Sequence, residues 1–150
     1  MKVKDAVNVK GRCRLTIRDA KTGRLLERTP WRDNLVTDDG EVLYARLLRG
    51  DALDPCSYCG VGSGNTPAAE ADTTLETEIG RLEVTDTSIT GAVVTYSTFF
   101  GSGDNNGTWW EIGMLNAAAA GVLIARTVLG ASQNKTVANT VTIDYELSVT

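Results

Sequence analysis

Between positions 7 and 17 the chain alternates: Val7, Val9, Gly11, Cys13, Leu15 and Ile17 take the odd positions, and Asn8, Lys10, Arg12, Arg14 and Thr16 the even ones. A period of two sends the two sets to opposite faces of a β-strand, so the spacing predicts one buried apolar face and one solvated basic face. Asp19-Ala20-Lys21-Thr22-Gly23 then supplies turn residues, and residues 24–28 are predicted to return as the hairpin partner.

The period changes once. Residues 37–50 read as a helix, with Thr37 as its N-cap, acids in its first turn, Arg46 and Arg49 near its end, and Gly50 just beyond it. Leu43, Leu47 and Leu48 are expected to press this helix against a sheet. Residues 72–80 suggest a helical turn, and strand-like runs follow at 81–89, 92–100, 108–116, 122–128 and 136–149, separated by glycine-bearing turns.

The last run is the clearest, with Val137, Val141, Ile143, Tyr145, Leu147 and Val149 on one face and Thr140, Thr142, Asp144, Glu146 and Ser148 on the other. Seven or eight short strands, one helix and no β-α-β rhythm predict a single all-β domain over residues 1–150. The expected fold is an antiparallel β-sandwich, jelly-roll-like, with one packed helix.

Composition agrees with a globular chain, at 42% hydrophobic and 23% charged residues. No run approaches the roughly 18 apolar residues of a membrane span, so no membrane partner is expected. The polar opening at residues 1–5 argues against a cleaved leader and for synthesis in a cytoplasm.

Charge changes the picture more. Residues 1–50 carry twelve Lys/Arg and seven Asp/Glu, whereas residues 51–150 carry three and twelve. The basic residues line a strand without interleaved aromatics, and the acidic bulk repels phosphates, so nucleic acid is not the expected partner. Lys10, Arg12, Arg14 and Arg18 read instead as a docking face for an acidic neighbour.

The chain has no histidine. Ser-His-Asp and Cys-His arrangements, the usual base near neutral pH and the commonest metal ligand are therefore all missing. Cys56 and Cys59 form a CxxC, but Gly60-Val61-Gly62 follows where a helix would be needed to stabilise a thiolate. Cys13 falls on the buried face of its strand, and a zinc site would still need a fourth ligand, so all three cysteines read as small buried hydrophobes. Gly60, Gly62 and Gly64 fit a glycine-rich nucleotide loop, but the acidic, proline-broken segment after them carries neither a helix start nor a P-loop lysine. Neither Asp38/Asp39 nor Asp104 has calcium-loop spacing. No catalytic residue, metal or cofactor is expected.

The pair Trp109-Trp110 must split between two faces of a strand. Trp110, Ile112 and Met114 share one face and read as core, which leaves Trp109 as an exposed aromatic. Beside Asp104, Asn105 and Asn106 it forms a candidate recognition site, of the kind that stacks on a host glycan.

Four groups of residues, read together, carry a resemblance. They are residues 34–40 (NLVTDDG), 58–67 (YCGVGSGNTP), 75–81 (LETEIGR), and 110–116 with 121–126 (WEIGMLN and GVLIAR). The set resembles a group of small tailed-bacteriophage virion proteins, and the N-terminal collar domain of phage tail fibres, where N-x-x-T-x-x-G, VGxG-T-x-P, L-x-x-E-x-x-R and E-I-G-L-F recur in that order. It covers about residues 34–128, leaving the basic hairpin of residues 1–33 outside, and Leu115-Asn116 stands where the family has Phe-Asp.

The resemblance implies a non-enzymatic structural protein of the virion, working as a homo-oligomer (a trimer is favoured) with other virion proteins as partners. A tail-fibre or tail-collar position is the first expectation. A capsid decoration protein on the head surface is the alternative, and a host-glycan-binding module a further one. The loop 60–67 would then serve shape rather than chemistry.

Overall fold

The computed structural model describes residues 7–150, so the polar opening at residues 1–5 lies outside the described residues. Among the described residues, eleven strands form two antiparallel sheets with one helix. The first sheet holds β1 (Val9–Asp19), β2 (Leu25–Arg28), β3 (Arg32–Asp33), β7 (Asp86–Thr90), β8 (Val93–Phe100) and β11 (Asn139–Val149), in the order β2-β1-β11-β8-β7 with β3 also on β1. The second holds β4 (Leu35–Val36), β5 (Tyr58–Gly62), β6 (Glu78–Glu83), β9 (Gly107–Leu115) and β10 (Leu123–Lys135), in the order β4-β10-β9-β5-β6. The predicted antiparallel β-sandwich is the observed fold.

The alternating strands follow their period with two exceptions in and beside β1: Thr16, of the polar row, is buried and accepts from Arg28 Nε, and Val7, which precedes the strand, is exposed. In β1, Cys13, Leu15 and Ile17 are buried while Arg12 and Arg18 face solvent, and β11 buries Val141, Ile143, Tyr145 and Leu147. The two strands pair residue for residue, from Val9 opposite Val149 to Asp19 opposite Asn139. Their apolar rows meet Cys59 and Val61 of β5, Ile112 and Met114 of β9, and Ile124 and Ala125 of β10 to make the main core. Val137 and Val149, expected on the inner face, are instead exposed, because Val137 precedes the strand and Val149 ends it.

Helix α1 (Asp38–Arg49) starts and stops where its caps dictate. The Thr37 hydroxyl accepts from the Gly40 N–H at 3.0 Å and donates to the Leu123 carbonyl at 2.5 Å, so one side chain caps the helix and ties it to β10. Gly50 follows in the left-handed region (φ 91), which a side chain would strain. Leu43 is buried and Leu47 packs against the core. Leu48, expected to join them, is 86% exposed because its position turns it to the outer side of the helix.

Two further expectations fail for identifiable reasons. Residues 72–77 form an open loop and 78–80 already belong to β6, rather than a helical turn, because the Glu76 and Thr77 N–H groups donate to the side chain of Glu111. Residues 81–89 are two strands in different sheets. The break falls between neighbours: the Val84 N–H donates to Ser57 beside the second sheet and the Thr85 N–H to Ser97 of the first, each at 2.8 Å. β10 also runs further than expected, to Lys135.

Candidate interaction surface

The basic row of β1 lies on the outer face of the first sheet, beside the polar row of β11. Arg12 meets Glu146 at 2.7 Å and Arg14 meets Asp144 at 3.5 Å. The Ser97 hydroxyl of β8 also donates to Asp144, at 2.6 Å. The half-buried Trp31 ring is shared by both arginines, whose guanidinium carbons each lie 4.4 Å from its centroid. Arg18 donates to the Gly23 carbonyl of its own hairpin. Lys10 is exposed and has no ion pair among the described residues. The row read from the sequence as a docking face thus carries two cross-strand ion pairs, with the Trp31 ring shared by their arginines.

The outer face of the second sheet is closed. Glu111, fully buried, accepts from the N–H groups of Gly64 (3.1 Å), Glu76 (3.0 Å) and Thr77 (2.8 Å), and from Arg126 Nε at 2.7 Å. Arg126, 3% exposed, also reaches Asp72 at 3.0 Å and Glu76 at 3.3 Å. These contacts fasten the loop 63–77 over β9 and β10. Leu75 then seals a second small core with Leu115 and Leu123, against which Tyr58 packs.

The glycines of residues 60–64 serve this closure. A Cβ on Gly62 would collide with the Glu111 carboxylate and the Thr77 carbonyl, and one on Gly113 would press on Leu75 and Leu123. Beside this clamp, Arg81 pairs with Glu78 at 2.6 Å and holds the carbonyls of Ala117 and Ala120. The Asn116 side chain accepts from Val122 N–H at 2.7 Å and donates to the Asp54 carbonyl at 3.0 Å. Residues 34–40, 58–67, 75–81, 110–116 and 121–126, separated in sequence, therefore build one continuous structural unit.

Sequence reasoning did not find this clamp. The signal is Gly60 and Gly62 of β5 opposite Gly113 and Glu111 of β9, with Gly64 just beyond the strand, which leaves room for a covering segment and a charge to hold it.

Trp109 is not the exposed aromatic. It is fully buried, with Phe100 at 5.1 Å in an edge-on contact, and its indole N–H donates to the Asn105 carbonyl at 2.8 Å. A bulge explains the reversal. Between the pairs Trp109–Gln133 and Glu111–Val128 the register of β9 and β10 shifts, so Trp109 joins Ile112 on the inner side and Trp110 is the partly exposed ring.

The candidate polar partners are turned to structural use as well. Asp104 accepts from Gly101 N–H, Asn105 adopts φ 47 to present its carbonyl, and Asn106 accepts from the buried Lys135 ammonium at 2.8 Å. The four residues are brought together, but as a closed turn around Trp109 rather than an open recognition site.

All three cysteines are free and buried. Burial pushes the Cys13 thiol up to about 11 and Cys56 to about 12, and raises Cys59 well above its usual range. None of them presents a solvent-reachable thiolate.

A groove of about 310 Å³ opens at the edge where β2 and β3 face the far half of β10, with Cys13, Leu15, Trp31 and Leu129 among its walls. Among the described residues, no helix is long and apolar enough to cross a membrane. The chain matches no known family model, and neither the curated proteins nor the solved structures contain a significant match to it.

Proposed function

We propose that the protein is a non-enzymatic structural component of a tailed-bacteriophage virion, of the tail-fibre or tail-collar type, acting as a homo-oligomer. One observation carries the reading. The short motifs that resemble the phage proteins converge on interactions that fix shape: the Thr37 cap, the Glu111–Arg126 clamp, the Glu78–Arg81 pair and the Asn116 turn. Residues committed to buried pairs and caps hold a scaffold rigid, which suits a protein whose work is to present surfaces. One sheet is closed over by its own loop, and the other keeps an outer face that no segment covers in this way and that is polar apart from Phe99 and Trp31. That open face is the surface offered to a neighbouring virion protein, with Lys10 and Arg18 as the cations left outside the cross-strand ion pairs.

The test locates the protein. Antibody labelling of intact particles, with peptide quantification, should find it at the tail in a small ring's worth of copies. Signal spread over the whole head would replace the tail position with capsid decoration, and absence from purified particles would end the virion reading. Arg12→Glu with Arg14→Glu should weaken incorporation and shift its salt dependence. Unchanged incorporation and salt response would remove this face from assembly.

A further inference from the structure

Sheets end in strands whose outer N–H and C=O groups have no partner, and both ends of the first sheet are such edges: β2 at one, β7 at the other. They match in length, at four and five residues. They also match in direction. Each successive pair along β2-β1-β11-β8-β7 is antiparallel, so β2 and β7 run the same way.

The faces match too. Ile89 of β7 is opposite Val94, which is opposite the buried Leu147, so Ile89 stands on the inward row. It is nevertheless 72% exposed, because the second sheet does not reach beneath it. At the other edge Glu27 is opposite the buried Ile17, on that same inward row, and beside it lies the groove over Leu15, Trp31 and Leu129. One edge carries an unsupported apolar knob on the row where the other edge has an unfilled apolar hollow. Residues 129–132 of β10, which wall the hollow, lie in the register gap where β10 leaves β9.

Charge completes the fit. Lys21, Arg24 and Arg28 surround β2 against two acids, Asp19 and Glu27, whereas residues 82–99 hold Glu83 and Asp86 and no base at all.

We propose that the β7 edge of one copy adds to the β2 edge of the next as a parallel strand, seating Ile89 in the groove beside Glu27 and carrying the first sheet from copy to copy. Such a contact is head-to-tail, so repeating it closes a ring when the rotation permits. The occupant, a second copy, rests on the homo-oligomer part of the proposed function. The pairing does not depend on where in a particle the oligomer sits.

The test uses the purified protein. Glu27→Cys combined with Ile89→Cys should give a ladder of disulfide-linked copies on mild oxidation, while each single variant gives none beyond background, since the three native thiols are buried. Ile89→Asp, at an exposed position, should leave the circular dichroism unchanged and weaken self-association about tenfold or more. Added salt should weaken it further, since the charges at both edges are exposed. A wild-type monomer at high concentration would overturn the pairing. So would an oligomer that Ile89→Asp leaves intact and the cysteine pair fails to link. Because these readouts need no particle, a positive ladder from a protein absent from particles would sink the virion reading and leave the pairing standing, and the converse result would do the reverse.

Discussion

Arg126 and Glu111 face each other on adjacent strands of the second sheet, with Nε and Oε2 2.7 Å apart and the two side chains 3% and 0% exposed. Two charges withdrawn this far from water are tolerable only when each is paired and hydrogen-bonded, and here the carboxylate also takes three backbone N–H groups from the covering loop. Glu111→Ala would leave the guanidinium short of a partner and three amides unanswered. It should cost about 3–5 kcal/mol in denaturant unfolding. Loop 63–77 should become the first site of proteolysis. Glu111→Leu with Arg126→Met should recover much of the loss, because two apolar groups leave no stranded charge.

Trp109→Ala empties a filled space next to Phe100 and should cost about 3–5 kcal/mol, with the same change at Trp110 costing far less. Equilibrium unfolding of the two variants decides it. A glycan-dependent adsorption defect in Trp109→Ala would then need to be separated from loss of folded protein.

Thiol reactivity should track burial. In the native state Cys13, Cys56 and Cys59 should all label slowly with a maleimide at pH 8, and all three should label fast once unfolded. A single fast-labelling cysteine in the folded protein would contradict the structure at that position.

Asp51 lies just past α1, where Arg49 donates to it at 2.7 and 2.8 Å and Arg46 at 2.9 Å, and these contacts hold its carboxyl at about 2, below the ordinary 3.8. A carboxyl depressed in the folded state stabilises it above the unfolded value and loses that contribution as pH falls. The contribution should therefore be complete above about pH 4 and disappear toward pH 2. Side-chain NMR titration should place the Asp51 midpoint near 2, and Asp51→Asn should flatten the stability profile across that window.

What the sequence made legible follows from which interactions are local. The period-two rows of β1 and β11 and the caps of α1 are written in neighbouring residues, and all three stand in the structure. The face of Trp109 is not written locally, because it depends on how many residues β10 places opposite β9. Nor is the change of sheet between Val84 and Thr85, where no glycine or proline marks the break and adjacent amides answer to Ser57 and Ser97. The clamp was half visible. Its glycines mark a close approach, but the carboxylate they make room for comes from another strand.

The pairing of β1 with β11 also sets a clock. At roughly 5–20 residues per second, the stretch of about 140 residues from Val9 to its partner Val149 takes on the order of 7–28 s to synthesise. Through that interval Cys13, Leu15 and Ile17 have no strand to shield them on the β11 side. The nascent chain therefore carries an apolar strip whose shelter is made long after it, the condition under which nascent chains meet chaperones or each other.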